Sequence, residues 1–82
     1  GRSSRTSQHM EARAADLHVP GHSLTDVYNW LYDNAPFDQL IREYPPGGWV
    51  HVSYDPDRNR RESKVCRLLN GEPDYTPIGR LT

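Results

Sequence analysis

The sequence predicts a small α+β domain in which an antiparallel sheet is backed by one helix. Three observations support this class. Apolar and polar residues alternate over 14–19, which is typical of a short strand. Apolar residues recur at helical spacing over 24–35. Two further strand-like segments flank Pro45-Pro46-Gly47-Gly48, a strong turn signal, and predict a hairpin.

The first strand is predicted over Ala14–Val19. Its apolar side chains would share the face that meets the core, and Asp16 would point the opposite way, toward a cleft. Pro20-Gly21 ends the strand. The two sets are Ala15, Leu17 and Val19 on one face, and Ala14, Asp16 and His18 on the other.

The helix is predicted to begin at Ser23, because Ser23-Leu24-Thr25-Asp26 resembles a capping box and places an acid near the positive end of the helix dipole. It ends before Pro36, since the residue preceding a proline disfavours the helical region. The predicted apolar stripe consists of Leu24, Val27, Tyr28, Leu31 and Ala35, broadened by Trp30 and Tyr32.

The second half of the chain predicts further strands over 37–44, 49–54 and 63–69, with a charged loop over 55–62. Asn70-Gly71 is a turn signal, and 75–78 is either a short edge segment or a tail. The predicted organisation is a flexible lead over 1–6, the folded domain over 7–70, and a tail or edge segment over 71–82.

Size and charge limit the classes of function. A chain of 82 residues forms one domain with a thin core, for which a disulfide or a metal is a common staple. Cys66 is the single cysteine, so an internal disulfide is excluded and the staple, if there is one, would be a metal. A net charge of −1 argues against charge-driven binding to nucleic acid or a membrane surface. No apolar run approaches the roughly 20 residues that span a bilayer.

His9, Asp16 and His51 form a candidate metal-ligand set drawn from three places in the chain. Zinc binds imidazole nitrogen and carboxylate oxygen, and catalytic zinc sites have three protein ligands and one open position. Two local ligands and one distant one tie such a site to the folded state. His9-Met10 is also typical of an expression-tag remnant, which leaves the origin of His9 open.

The stretch Ser7-x-His9-x-x-Ala12-x-Ala14-x-Asp16 resembles the SxHxxGxAxD motif of the zinc D-Ala-D-Ala carboxypeptidases, peptidoglycan peptidases that are often phage-encoded. Phe37-Asp38-Gln39-Leu40-Ile41-x-Glu43, followed by Trp49-Val50-His51-Val52-Ser53, is similar to the C-terminal half of the same family. The resemblance covers residues 7–54. It implies the hedgehog/DD-peptidase fold and a zinc ion bound by His9, Asp16 and His51.

The chain departs from the family pattern at three points. Ala12 replaces the glycine of the motif, and Gly48 stands three residues before His51, where better-known members carry a glutamate that acts as general base. The family also has an upstream helix and an Arg-bearing strand, and the chain would begin after them.

Glu43 is the predicted general base. If it pairs opposite Trp49, it shares a face with His51 and can reach a water on the metal, whereas a one-residue slip turns it to the other face. The alternative is a solvent-facing strand residue. Ser7 and Ser53 are candidates for binding a substrate carboxylate.

The resemblance implies a zinc peptidase that cleaves peptidoglycan stem peptides, as a D,D-carboxypeptidase or a cell-wall endopeptidase, at the bacterial cell wall or periplasm or delivered by a phage. The competing hypothesis is a zinc-stapled, non-catalytic module, such as a phage tail component or a truncated peptidase-like fragment. Neither nucleic acid nor membrane is an expected partner, and zinc is the one expected cofactor.

Overall fold

A computed structural model describes residues 13–81 of the chain. It shows one helix and a five-stranded sheet, which confirms the predicted α+β class. The predicted lead over 1–6 lies outside the described residues. No helix between residues 13 and 81 is long and apolar enough to cross a membrane. The elements are β1 (Arg13–Leu17), α1 (Leu24–Asn34), β2 (Gln39–Glu43), β3 (Trp49–Tyr54), β4 (Glu62–Leu69) and β5 (Glu72–Pro77).

Helix α1 begins at the predicted cap, where the Ser23 hydroxyl accepts a hydrogen bond from the amide of Asp26 at 3.0 Å. At the other end, the Arg61 guanidinium donates to the carbonyls of Ala35 and Tyr32 and satisfies groups that the helix leaves unpaired. Trp30 was predicted to widen the buried stripe, but 62% of it is exposed. Its side chain lines a pocket with Leu17, Val19 and Leu31 and does not join the core cluster.

The core lies between α1 and one face of the sheet. Tyr28 from the helix packs with Phe37, Leu40 and Val50, all of which are fully buried, and Val27 completes the cluster. The Tyr28 hydroxyl donates to the carbonyl of Gly79 at 2.9 Å, so its one polar group is paired. Burial raises the pKa of Tyr28. The core therefore binds the C-terminal residues to the helix.

The sheet is mixed, which corrects the prediction of an antiparallel sheet. Its order is β1-β3-β2-β4-β5, and all neighbours are antiparallel except β2 and β4, which run parallel. The reason is the loop after β3, which returns to the start of β2. There the amide of Glu62 donates to the carbonyl of Asp38, and the Arg60 guanidinium binds the Asp38 carboxylate. A strand that starts beside the start of β2 must run in the same direction.

The two outer strands differ in how they are held. The amide of Ile78 donates to the carbonyl of Ser63, next to β5 on β4. Along an antiparallel strand the amides point alternately toward the neighbouring strand and away from it. The amide positions of Pro73, Tyr75 and Pro77 therefore point outward. Two of these three outward positions are prolines and have no N–H. At the other edge, β1 contacts β3 and no other element of the described chain. Within residues 13–81, helix α1 contacts β2 and β3 and no other strand.

Candidate functional site

The face of the sheet opposite α1 carries the candidate site and is called the open face here. Residues that pair across neighbouring strands share a face, and alternate residues along a strand switch faces. Leu40 and Val50 face the helix, so their sequence neighbours face the other way. The open face includes Asp16 of β1, Ile41 and Glu43 of β2, Trp49, His51 and Ser53 of β3, and Lys64 and Cys66 of β4.

Asp16 and His51 contact each other on this face. They are directly opposite in the antiparallel β1–β3 pair, and His51 Nδ1 lies 2.8 Å from Asp16 Oδ1. The side chain of Asp16 is 61% exposed and that of His51 is 25% exposed. With the proton on Nδ1, His51 donates to the carboxylate, and Nε2 then carries the lone pair that can bind a metal. The pair is therefore reachable from solvent and oriented by the sheet.

This pair fits two positions of a zinc site. Two donors on a tetrahedral zinc lie roughly 3.3 Å apart, given bond lengths of about 2.0–2.1 Å, so a small side-chain rotation from 2.8 Å accommodates an ion. Alternatively, Asp16 orients His51 as an outer partner while Nε2 binds the metal. Residues 13–81 contain no group of three His, Cys, Asp or Glu side chains that could hold a metal. The predicted ligand His9 and the predicted substrate-binding Ser7 lie outside the described residues.

Glu43 lies on the open face in the register that its proposed role requires. It pairs opposite Trp49, while His51 pairs opposite Ile41, so Glu43 and His51 are diagonal neighbours. Diagonal positions are about 7–8 Å apart, a separation that long side chains can span. Glu43 is half-buried, and its carboxylate has no hydrogen bond or ion pair with another described residue.

Ser53 lies on the open face at the far end of β3 from Trp49. Its hydroxyl accepts a hydrogen bond from the amide of Gln39 at 3.0 Å, and its carbonyl accepts one from Asp38 at 2.8 Å. The hydroxyl proton remains available to a ligand. His18, which the sequence pattern places on the same face as Asp16, is exposed beyond the end of β1.

A tyrosine pair surrounds the buried thiol next to Glu43. Cys66 pairs with Glu43 on β2 and with Tyr75 on β5, and it is fully buried. A hydrogen bond with the Cys66 thiol raises the pKa of Tyr44 and of Tyr75, and the negative charge of Glu43 adds to both shifts. Both phenols therefore stay protonated near Glu43 at neutral pH.

Sequence reasoning missed two features of this region. Arg42 is buried behind the β2–β3 turn, and its acceptors among the described residues are all backbone carbonyls. The sequence offered one sign of this. Arg42 is a charged residue two positions after Leu40, so it falls on the strand face that packs against the helix. The second feature is the indole N–H of Trp49, which is buried without a partner among residues 13–81. No sequence signal distinguishes an indole that lacks a partner.

Comparison with known families gives one match. The family model described as Peptidase M15 matches residues 2–53, a range that contains β1, α1, β2, nearly all of β3 and every predicted site residue. No curated protein and no solved structure shows significant similarity to the chain. The open-face pair Asp16–His51 and the carboxylate of Glu43 all lie inside the matched range. With more than half of its 82 residues in that match, the chain belongs to the peptidase M15 family.

Proposed function

We propose that this chain is a zinc-dependent peptidase that cleaves the stem peptides of peptidoglycan, as a D,D-carboxypeptidase or a cell-wall endopeptidase. The observation that carries the proposal is the contact between Asp16 and His51, two side chains that the family motif separates widely in sequence and the sheet brings to 2.8 Å. The hedgehog/DD-peptidase fold and a location at the bacterial cell wall or periplasm, or delivery by a phage, belong to the same proposal.

In this proposal, zinc is held by His9, Asp16 and His51. A bound zinc supplies Lewis acidity toward the scissile carbonyl and lowers the pKa of a water ligand to about 7. Asp16 and His51 contribute donors whose spacing is fixed by a paired position of two neighbouring strands. The pairing of β1 with β3 thus preorganises the two donors, because both side chains stand on strands and neither is positioned by a loop.

Glu43 acts as general base in the proposed reaction. Its carboxylate would accept a proton from the attacking water and return it to the leaving amine, the role of a general base that lies within hydrogen-bond reach of that water. The unpaired state of the carboxylate among the described residues and its place diagonal to His51 support this role. Ser7 and Ser53 are proposed to bind the substrate, with the Ser53 hydroxyl as a donor.

The test combines zinc binding with cleavage. Protein incubated with excess zinc and then freed of unbound metal is expected to retain one zinc per chain. It should release peptide products from purified peptidoglycan, and a chelator should stop the release. The Glu43→Gln variant should retain zinc but lose cleavage by about 100-fold or more, because a positioned base contributes about 10²–10⁴-fold. Glu72→Gln, at an exposed position of β5, is the matched control and should cleave normally.

Absence of zinc from metal-replete protein at neutral pH would contradict the proposal outright. Full activity of Glu43→Gln would remove Glu43 from the mechanism and leave the zinc site standing. The Asp16→Ala variant should bind zinc at least about 10-fold more weakly, because even an outer partner that only orients a metal ligand contributes about 10–100-fold to affinity.

A second candidate function, a zinc-stapled non-catalytic module, is favoured by one observation. Gly48 stands where the resemblance places a glutamate, and a Cβ atom at Gly48 would lie 1.9 Å from the carbonyl oxygen of Glu43. No side chain fits there, so the turn excludes the expected base. Zinc binding without any cleavage of peptidoglycan by the native chain would establish this second function over the first.

A further inference from the structure

The turn between β2 and β3 is built around one buried guanidinium. Arg42 is 4% exposed. Its Nη1 donates to the carbonyls of Gly47 at 2.7 Å, Glu43 at 3.0 Å and, more weakly, Trp49 at 3.4 Å, and its Nη2 donates to Pro46 at 3.0 Å. These acceptors belong to both strands and to the turn that joins them. One side chain therefore contacts the whole hairpin end.

The shape of the guanidinium group explains the presence of an arginine at this position better than its charge does. Arg42 has no carboxylate partner in the described part of the chain, and burial lowers its pKa. Burying a cation is costly unless its donors are satisfied. A guanidinium offers five N–H donors in a rigid planar fork, whereas a lysine ammonium is a compact charge with three rotatable donors. The carbonyls around Arg42 match the fork of an arginine.

The same turn determines where Glu43 lies. The carbonyl of Glu43 accepts from Arg42, and Gly48 approaches that carbonyl too closely for any side chain. The next residue, Tyr44, adopts a φ of 55° and donates its amide to the carbonyl of Cys66 at 2.8 Å. The backbone of Glu43 is thus held by the turn on one side and by β4 on the other.

We propose that Arg42 is a positioning residue for Glu43: its fan of hydrogen bonds to the turn fixes Glu43 opposite Trp49 and keeps the carboxylate on the open face, diagonal to His51. A slip of one residue would move the carboxylate to the face that α1 covers. The catalytic consequence rests on the proposed function, but the positional one does not.

The experiment compares three variants of the full chain. Arg42→Met removes every side-chain donor and keeps an unbranched apolar stem, and Arg42→Lys keeps the charge without the fork. Arg67→Met is the matched control, an exposed arginine on the same face of the sheet. Cross-strand NOEs between Glu43 and Trp49 report the register directly. Zinc affinity, kcat and KM for peptidoglycan peptide report the site.

In Arg42→Met, the Glu43–Trp49 NOE is expected to weaken or disappear and kcat to fall roughly 10–100-fold, because a displaced base loses its near-attack geometry. Zinc affinity and KM should change by less than about threefold, since the paired position of Asp16 and His51 lies two residues along β3 from Trp49, which pairs with Glu43. Arg42→Lys should recover part of kcat, and Arg67→Met should match the native chain.

A folded Arg42→Met protein with an unchanged NOE and unchanged kcat overturns the proposal, and so does a loss of kcat accounted for by the unfolded fraction alone. If Arg42→Met does not fold, Arg42→Lys decides on the same readouts. If the native chain neither binds zinc nor cleaves, the proposed function has failed, and the NOE still tests the positional role of Arg42.

Discussion

Asp16 and His51 stand 35 positions apart in sequence, yet they occupy one paired position of the sheet. At such a position the Cα atoms are separated by only about 4.5–5.5 Å, so short side chains meet without strain. The contact needs no loop and no long side chain. At the scale of single residues, the contact between Asp16 and His51 therefore depends on the register in which β1 and β3 pair.

A second contact at this scale is the ion pair between Asp38 and Arg60. Arg60 Nε and Nη2 donate to the two Asp38 oxygens at 2.7 and 2.8 Å, a bidentate pairing. The hydrogen bond from the Arg60 side chain lowers the pKa of Asp38 from 3.8 to about 2. Because the folded pKa is lowered, the stabilisation is present above pH 4 and is lost as the pH falls from about 4 to 2.

We expect Asp38→Asn to lower the free energy of unfolding at pH 7 and to flatten its decline between pH 4 and 2. Urea titrations across this range measure both effects. Asp33→Asn removes another aspartate–arginine pair, the one with Arg80, and is the control. An unchanged pH dependence in Asp38→Asn would show that the ion pair does not account for the acid sensitivity.

At the scale of elements, the β2–β3 turn carries the strongest local constraint in the described chain. Gly48 has a φ of +72°, in the left-handed region, and faces the Glu43 carbonyl. We expect Gly48→Ala to destabilise the protein by about 2 kcal/mol or more, through the unfavourable φ and the backbone clash together. Thermal and urea unfolding measure the loss.

Gly47→Ala is the matched control, because a Cβ atom at Gly47 would meet nothing within 4 Å. This neighbour should change stability by less than about 0.5 kcal/mol. Equal losses in the two variants would mean that the close approach at Gly48 does not limit the turn.

The elements show what alternation can and cannot predict. The bounds of β3 and the N-terminal cap of α1 were predicted as the structure has them, because the patterns at Trp49–Tyr54 and Ser23 depend on local chemistry. Trp30 was placed in the buried stripe because a helical wheel does not tell how wide the covering sheet is. Arg42 was overlooked because the pattern of alternation does not reveal a set of backbone acceptors.

At the scale of the whole molecule, the pairing of β4 was the feature that the sequence did not predict. Alternation gives the faces of a strand but not its neighbours, and the direction of β4 depends on the contacts that Asp38 makes with Arg60 and Glu62. Asp16 and His51 were predicted to bind one metal, and their contact with each other depends on the β1–β3 pairing, which the sequence did not specify. Whether His9 joins them stays a prediction.

The outer edge at β5 is protected by its prolines. Pro73 and Pro77 occupy outward-pointing amide positions, so an incoming strand finds few donors. We expect the double variant Pro73→Thr/Pro77→Thr to self-associate at concentrations at which the native chain does not, as measured by sedimentation velocity. Pro20→Thr, in the exposed loop after β1, is the control, and equal association of both variants would contradict the explanation.

Among the described elements β1 contacts β3 and no other, and this has a consequence for motion. Strands with few buried contacts open locally at a lower free energy than the global one, and their amides exchange with deuterium sooner. We expect the amides of β1 to exchange well before those of β2, because four of the five β1 residues are exposed. Zinc held jointly by Asp16 and His51 would join the two strands, so adding zinc should slow exchange in β1 more than elsewhere. In that case, the binding of zinc would also suppress the local opening of β1 at the edge of the sheet.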